Sequence, residues 1–125
     1  MTTEPVGTLT TRTLAMPADA NPAGDIFGGW VLSQMDIAGG IAAYEAAKGR
    51  VVTAAIESLS FLKPVKIGDI LCVYTDVSHV GNTSLKIRVE AWAKGRDGSR
   101  ARVTDATFTF VALGDDGKPR PVHAP

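Results

Sequence analysis

One stretch of this chain, residues 28–48, has a helical composition, and it is apolar on almost every side. Nearly everything that follows it reads as strand. A helix of about 20 residues spans about 30 Å, roughly the length of the long strands that follow. One helix must then cover most of one face of a sheet. Residues 8–14, TLTTRTL, alternate weakly and are rich in threonine, which suits a first or edge strand. MPADANPAGD, 16–25, reads as a loop. After the helix stops at Lys48-Gly49, strands are predicted over 51–62, 70–80, 84–94 and 100–113, with turns at Gly81-Asn82 and at GRDGS, 95–99. The order is α+β, with one long central helix and a five-stranded, mostly antiparallel sheet.

At about 100° per residue, Val31, Met35, Ala38, Ala42 and Ala46 form one helical stripe, and Leu32, Ile37, Ile41, Ala43 and Tyr44 fill much of the rest. The polar residues fall in two narrow arcs, Gln34 with Glu45, and Ser33 with Asp36 and Gly40. A helix apolar almost all round is a buried one. One arc is therefore expected to reach water and the other to lie at a contact with a second copy of the chain. On the wheel alone, Asp36 reads equally well as a satisfied helix acid or as a functional one. Gly39-Gly40 costs about 1 kcal/mol per glycine against alanine, which predicts close approach by another backbone.

The 125 residues make one domain, 1–125, with a core over 8–113 and a tail, 114–125, that hugs the surface or frays. Hydrophobic residues at 45% and charged residues at 21% suit a globular chain. The formal net charge of zero supplies no field for nucleic acid or an anionic membrane. The lone cysteine, Cys72, rules out an internal disulfide and reads as an inert core thiol. No secretory signal is visible and no apolar run reaches the roughly 18 residues of a membrane span. The expectation is a soluble, cytoplasmic protein.

NPAGDIFGGWVLSQMD, residues 21–36, closely resembles the signature of hotdog-fold acyl-CoA thioesterases of the small bacterial YciA type. GRVVTAAIESLSFLKPVKIGDI and VTDATFTFVA resemble the same family, so the likeness runs over roughly 8–113. The resemblance implies a long helix wrapped by an antiparallel sheet, and a homodimer with shared active sites, often assembled as a trimer of dimers. It implies hydrolysis of fatty acyl-CoA to free acid and CoA. By position, Asn21 and Asp36 match the family's catalytic pair, contributed to one site by different subunits.

The residues themselves can support that chemistry. Asp36 can act as general base toward water or attack the carbonyl directly; the general base is the preferred role. Gly28 and Gly29 open the helix, where N–H groups lack intrahelical partners and no Cβ blocks a thioester carbonyl, so they are the expected oxyanion donors. Asn21 can orient the water or polarise the carbonyl, or serve only as an Asx-turn residue before Pro22. Asp36 is expected to face the same space as Gly28-Gly29, two helical turns on.

For CoA, Glu57, Ser58 and Leu59 could pair the pantetheine amides with backbone groups, as an added strand would. Lys63, Lys66, Lys86 and Arg88 are the phosphate candidates, and Phe61 or Trp30 could line an acyl or adenine pocket. Asp19 and Asp25 are loop acids without an argued chemical role. Ser33 fits no Ser-His-Asp pattern, His79 and His123 read as surface residues, and no Cys/His cluster suggests a metal. No cofactor is expected, because CoA is part of substrate and product. A hotdog dehydratase would need a histidine near the helix start, and residues 19–36 contain none. A non-catalytic acyl-CoA-binding module is the alternative from another class.

Overall fold

The computed structural model describes residues 4–123. Strands β1 (Thr8–Leu14), β2 (Val51–Phe61), β3 (Ile70–Val80), β4 (Ser84–Lys94) and β5 (Arg100–Ala112) accompany one long helix, α1 (Gly28–Ala47). The strands form one sheet in the order β1-β3-β4-β5-β2, and every neighbouring pair is antiparallel. The chain leaves one edge of the sheet at β1, crosses it as α1, and returns on the opposite edge as β2. The α+β architecture expected from the sequence is present, with β2 and β5 each ending one residue early.

Period-2 alternation decides the two faces of the sheet. Leu71, Val73, Leu85, Ile87, Val89, Phe108 and Phe110 are buried on the face that meets α1. Lys86 and Arg88, at the intervening positions of β4, project from the other face. Beneath the helix the rings of Phe108 and Phe110 stack at 6.2 Å between centroids. The buried helical seam runs through Val31, Met35, Ala38, Gly39, Ala43 and Ala47. Ala46, expected in that seam, is exposed instead. The contact drifts around the helix toward its C-terminus because a twisted sheet wraps the cylinder rather than touching one straight stripe.

Gly39 approaches a side chain, not the backbone that its sequence context suggested. A Cβ there would lie 3.2 Å from the Phe110 ring, whereas at Gly40 the same ring is 3.9 Å away. The helix stop also differs in detail. Lys48, with φ 55°, takes the left-handed position, and Gly49 leaves room for Arg120, whose Nη2 a Cβ would meet at 2.7 Å. That guanidinium donates to the Ala47 carbonyl at 2.9 Å and caps the helix. The tail is thereby pinned, and Val122 is buried in the core; residues 124 and 125 lie outside the described residues.

Among the described residues, no helix is long and apolar enough to cross a membrane. Cys72 is buried. At the β4–β5 turn, the Ser99 hydroxyl at 2.6 Å and its N–H at 2.9 Å both donate to Asp97 Oδ1. These bonds, the hydroxyl first, hold the Asp97 carboxyl below the usual carboxylate range.

Candidate active site

The two polar arcs of α1 rest on the two edges of the sheet. On the β1 side, the Thr13 hydroxyl donates to Gln34 Oε1 at 3.1 Å. On the β2 side, the Thr53 hydroxyl donates to Asp36 Oδ1 at 2.6 Å. Both arcs are thus partly satisfied within one chain, which the helical wheel did not foresee. Asp36 is half-buried, with one oxygen held and the other directed away from that bond. Beside it runs a stripe that none of the described residues covers: Ile37, Ile41 and Tyr44 are 51%, 41% and 57% exposed. Within a single copy the helix is therefore buried along one side only, its seam on the sheet.

Asn21 forms an Asx turn. Its Oδ1 accepts from the N–H of Ala23 at 3.0 Å and of Asp25 at 3.1 Å. Because both partners are donors, the oxygen assignment is fixed and the amide NH₂ points the other way. The side chain is left as a hydrogen-bond donor. The loop is tied down by the Lys66–Asp25 ion pair, by Ile26 N–H to the Val65 carbonyl at 2.9 Å, and by Phe27 N–H to the Asp19 carbonyl at 3.0 Å.

Phe27 precedes α1 with no side-chain cap. The N–H of Trp30 already turns back to the Phe27 carbonyl at 3.1 Å, which leaves the N–H groups of Gly28 and Gly29 as the open donors of the helix start. Space around Gly29 is empty to 4 Å, while a Cβ at Gly28 would meet the Phe61 ring at 3.3 Å. Eight residues separate Gly28 from Asp36, about 12 Å along the axis. An oxyanion donor and a general base must each come within about 3 Å of the reacting atoms. Within one chain, then, Gly28-Gly29 and Asp36 do not face the same space.

Glu57, Ser58 and Leu59 lie on β2, an edge strand whose outer side has no partner strand among the described residues. The β2–β5 register slips between Glu57 and Ser60, and Ser58 sits at the slip with φ 59°. That left-handed conformation costs a non-glycine residue about 1 kcal/mol or more. Leu59 packs on the core, as does Trp30. Glu57 Oε1 lies 3.6 Å from Lys86 Nζ.

Phe61 and Lys63 border a cavity of about 310 Å³ beside the helix start, lined also by Ile26, Val31, Leu62 and Val65. Lys86 and Arg88 lie across the sheet from Asp36. Arg88 is engaged by Asp105 at 3.1 Å and Glu90 at 3.6 Å. A larger cleft, about 590 Å³, opens at the opposite end of α1, around Lys48, Arg50 and Arg120. Among the described residues, no three His, Cys, Asp or Glu side chains converge as a metal site would require.

Sequence reasoning missed Thr53 and Glu90. Thr53 carries no one-dimensional signal, since its contact with Asp36 exists only after β2 takes the far edge. Glu90, on β4 two residues beyond Arg88, is only 2% exposed, with the Trp92 indole donating to it at 3.0 Å.

The family model described as Thioesterase superfamily matches residues 23–99. The acyl-CoA thioester hydrolase YciA of Salmonella typhimurium is 51% identical over 126 residues, covering 98% of this chain and 95% of that protein. The crystal structure of the hexameric thioesterase y2039 from Yersinia pestis superposes with a TM-score of 0.93 at 52% identity, over 98% of this chain and all of that one. Cj0915, a hexameric hotdog fold thioesterase of Campylobacter jejuni, superposes at 0.85 with 47% identity, over 92% of this chain and 90% of that one.

Proposed function

The chain belongs to the thioesterase superfamily and is an acyl-CoA thioester hydrolase of hotdog fold, and from that premise we propose that two copies share each active site, one supplying Asn21, Gly28 and Gly29 and the other Asp36. The carrying observation is the separation of about 12 Å between the helix start and Asp36 on one helix. The exposed stripe of Ile37, Ile41 and Tyr44 beside Asp36 supplies a surface for the second copy. The hexameric relatives agree with a trimer of dimers.

In this reading the fatty acyl thioester carbonyl docks on the Gly28 and Gly29 N–H groups, with the Asn21 NH₂ as a further donor. Asp36 takes a proton from water, and the resulting hydroxide attacks the carbonyl carbon. The tetrahedral oxyanion is held by the three donors. The C–S bond then breaks, CoA leaves as thiolate, and the proton on Asp36 passes to sulfur. Thr53 acts as a positioning residue, fixing one carboxylate oxygen so that the other faces the water. Direct attack by Asp36 to form an anhydride uses the same geometry.

The pantetheine arm is assigned to the β2 edge at Glu57, Ser58 and Leu59. Lys63 is the phosphate candidate on the cavity side, while Lys86 and Arg88 would serve a CoA reaching around the sheet. CoA belongs to substrate and product, so the reaction calls for no cofactor, and the reading places it in the cytoplasm without nucleic-acid or membrane partners. The test is release of free thiol from a panel of acyl-CoAs by wild type and Asp36→Ala. Turnover by wild type and its loss in the variant are expected. Binding without hydrolysis by wild type, or near-full turnover by the variant, would overturn the mechanism.

A further inference from the structure

We propose that Phe61 is the specificity-determining residue for the acyl chain, forming one wall of an aliphatic slot that begins at Gly28. This inference rests on the hydrolase reading above. The Phe61 ring lies over Gly28 so closely that a Cβ there would come within 3.3 Å of it. A carbonyl bound to the Gly28 N–H therefore has this ring beside it. The cavity of about 310 Å³ opens at the same point and is walled by Ile26, Val31, Leu62 and Val65.

The chemistry of that wall selects its occupant. Backbone groups along it are already paired, Ile26 N–H to the Val65 carbonyl at 2.9 Å and Leu62 N–H to the Val103 carbonyl at 2.7 Å. Apart from the Gly28 N–H, which takes the carbonyl, and the exposed Lys63 ammonium, an adenine ring would find few free donors or acceptors there, whereas an alkyl chain needs none. Phe61 is itself 49% exposed, so it can be truncated without opening the core. Taking each heavy atom to fill about the 30 Å³ of a water molecule in the liquid, the slot holds about ten atoms, and in this proposal the ring sets its limit.

The experiment compares kcat/KM for butanoyl-, octanoyl-, dodecanoyl- and hexadecanoyl-CoA in intact wild type, Phe61→Ala and Phe61→Leu, with inhibition by free CoA measured alongside. In Phe61→Ala the ratio of hexadecanoyl to butanoyl is expected to rise about tenfold or more, with Phe61→Leu between and inhibition by CoA unchanged. A parallel loss on all four substrates with weakened CoA inhibition would place the ring on the nucleotide and overturn the proposal. An unchanged profile would overturn it as well. A wild type inactive on all four would overturn the parent reading, and this one with it.

Discussion

The hydroxyl of Thr53 on an edge strand donates to Asp36 on the helix at 2.6 Å. Thr13 on the opposite edge does the same for Gln34 at 3.1 Å. The helix is thus held at both flanks by threonines from the two strands that precede and follow it in the chain and occupy opposite edges of the sheet. On the Asp36 side the bond also sets which carboxylate oxygen faces outward.

Replacing Thr53 by valine keeps the shape and removes the donor. A hydrogen bond to a charged group contributes about 1.5–3 kcal/mol, so kcat is expected to fall roughly 10- to 100-fold, with KM much less affected. Thr53→Ser should restore most of it. Steady-state kinetics with thermal unfolding of each variant checks this. A valine variant with wild-type kcat would remove Thr53 from the mechanism.

Asn21→Asp should separate structure from chemistry. The aspartate retains an acceptor for the Ala23 and Asp25 N–H groups, so the loop and the melting temperature should persist. The NH₂ donor is gone, and loss of one oxyanion-type donor costs about 10²–10³ in kcat. Asn21→Ala, by contrast, should lower both stability and turnover. Calorimetry beside thiol-release assays distinguishes the two.

Site sharing predicts complementation. Asp36→Ala and Asn21→Asp, each nearly inactive alone, should regain about a quarter of wild-type activity when unfolded together and refolded, because half of the dimers are then mixed and each has one intact site. No recovery, with mixed oligomers demonstrated by mass, would place both residues in a single-chain site.

The two mid-helix glycines, Gly39 and Gly40, should respond oppositely to alanine. Gly39→Ala pushes a methyl against the enclosed Phe110 ring at 3.2 Å, and overpacking of this kind costs about 1–3 kcal/mol, more than the helix-propensity gain of about 1 kcal/mol. At Gly40 the ring is at an ordinary 3.9 Å, so the propensity gain should prevail. Urea unfolding of both variants reads the difference in sign.

Glu90→Ala should destabilise more than an ordinary strand substitution. It strips partners from the Trp92 indole and from Arg88, whose Nε is already buried without a hydrogen bond. Leaving buried polar groups unsatisfied costs about 1–3 kcal/mol. Glu90→Gln, which can still accept from the indole, should cost less. A chemical denaturation series across the three proteins measures it.

Legibility followed the range of the interaction. Strand ends at Thr8, Ile70, Lys94 and Arg100 were readable because alternation and turn residues are local signals. The Asn21 Asx turn and the helix start at Gly28 were readable for the same reason. The helical seam drifted beyond Ala43 because sheet twist, a property of paired strands, moved it. Glu90 drew no reading at all, because burial of a polar strand face depends on what lies over it.

By itself the sequence determined the element order and the antiparallel α+β plan, since these rest on side-chain periodicity and backbone preference within a few residues; the candidate site residues came from its resemblance to a family. The tertiary structure alone decided that β1 and β2 take opposite edges, that Thr53 meets Asp36, and that Phe61 lies over Gly28. Those relations join positions distant along the chain, and only packing the helix across a twisted sheet brings them into contact or keeps them apart.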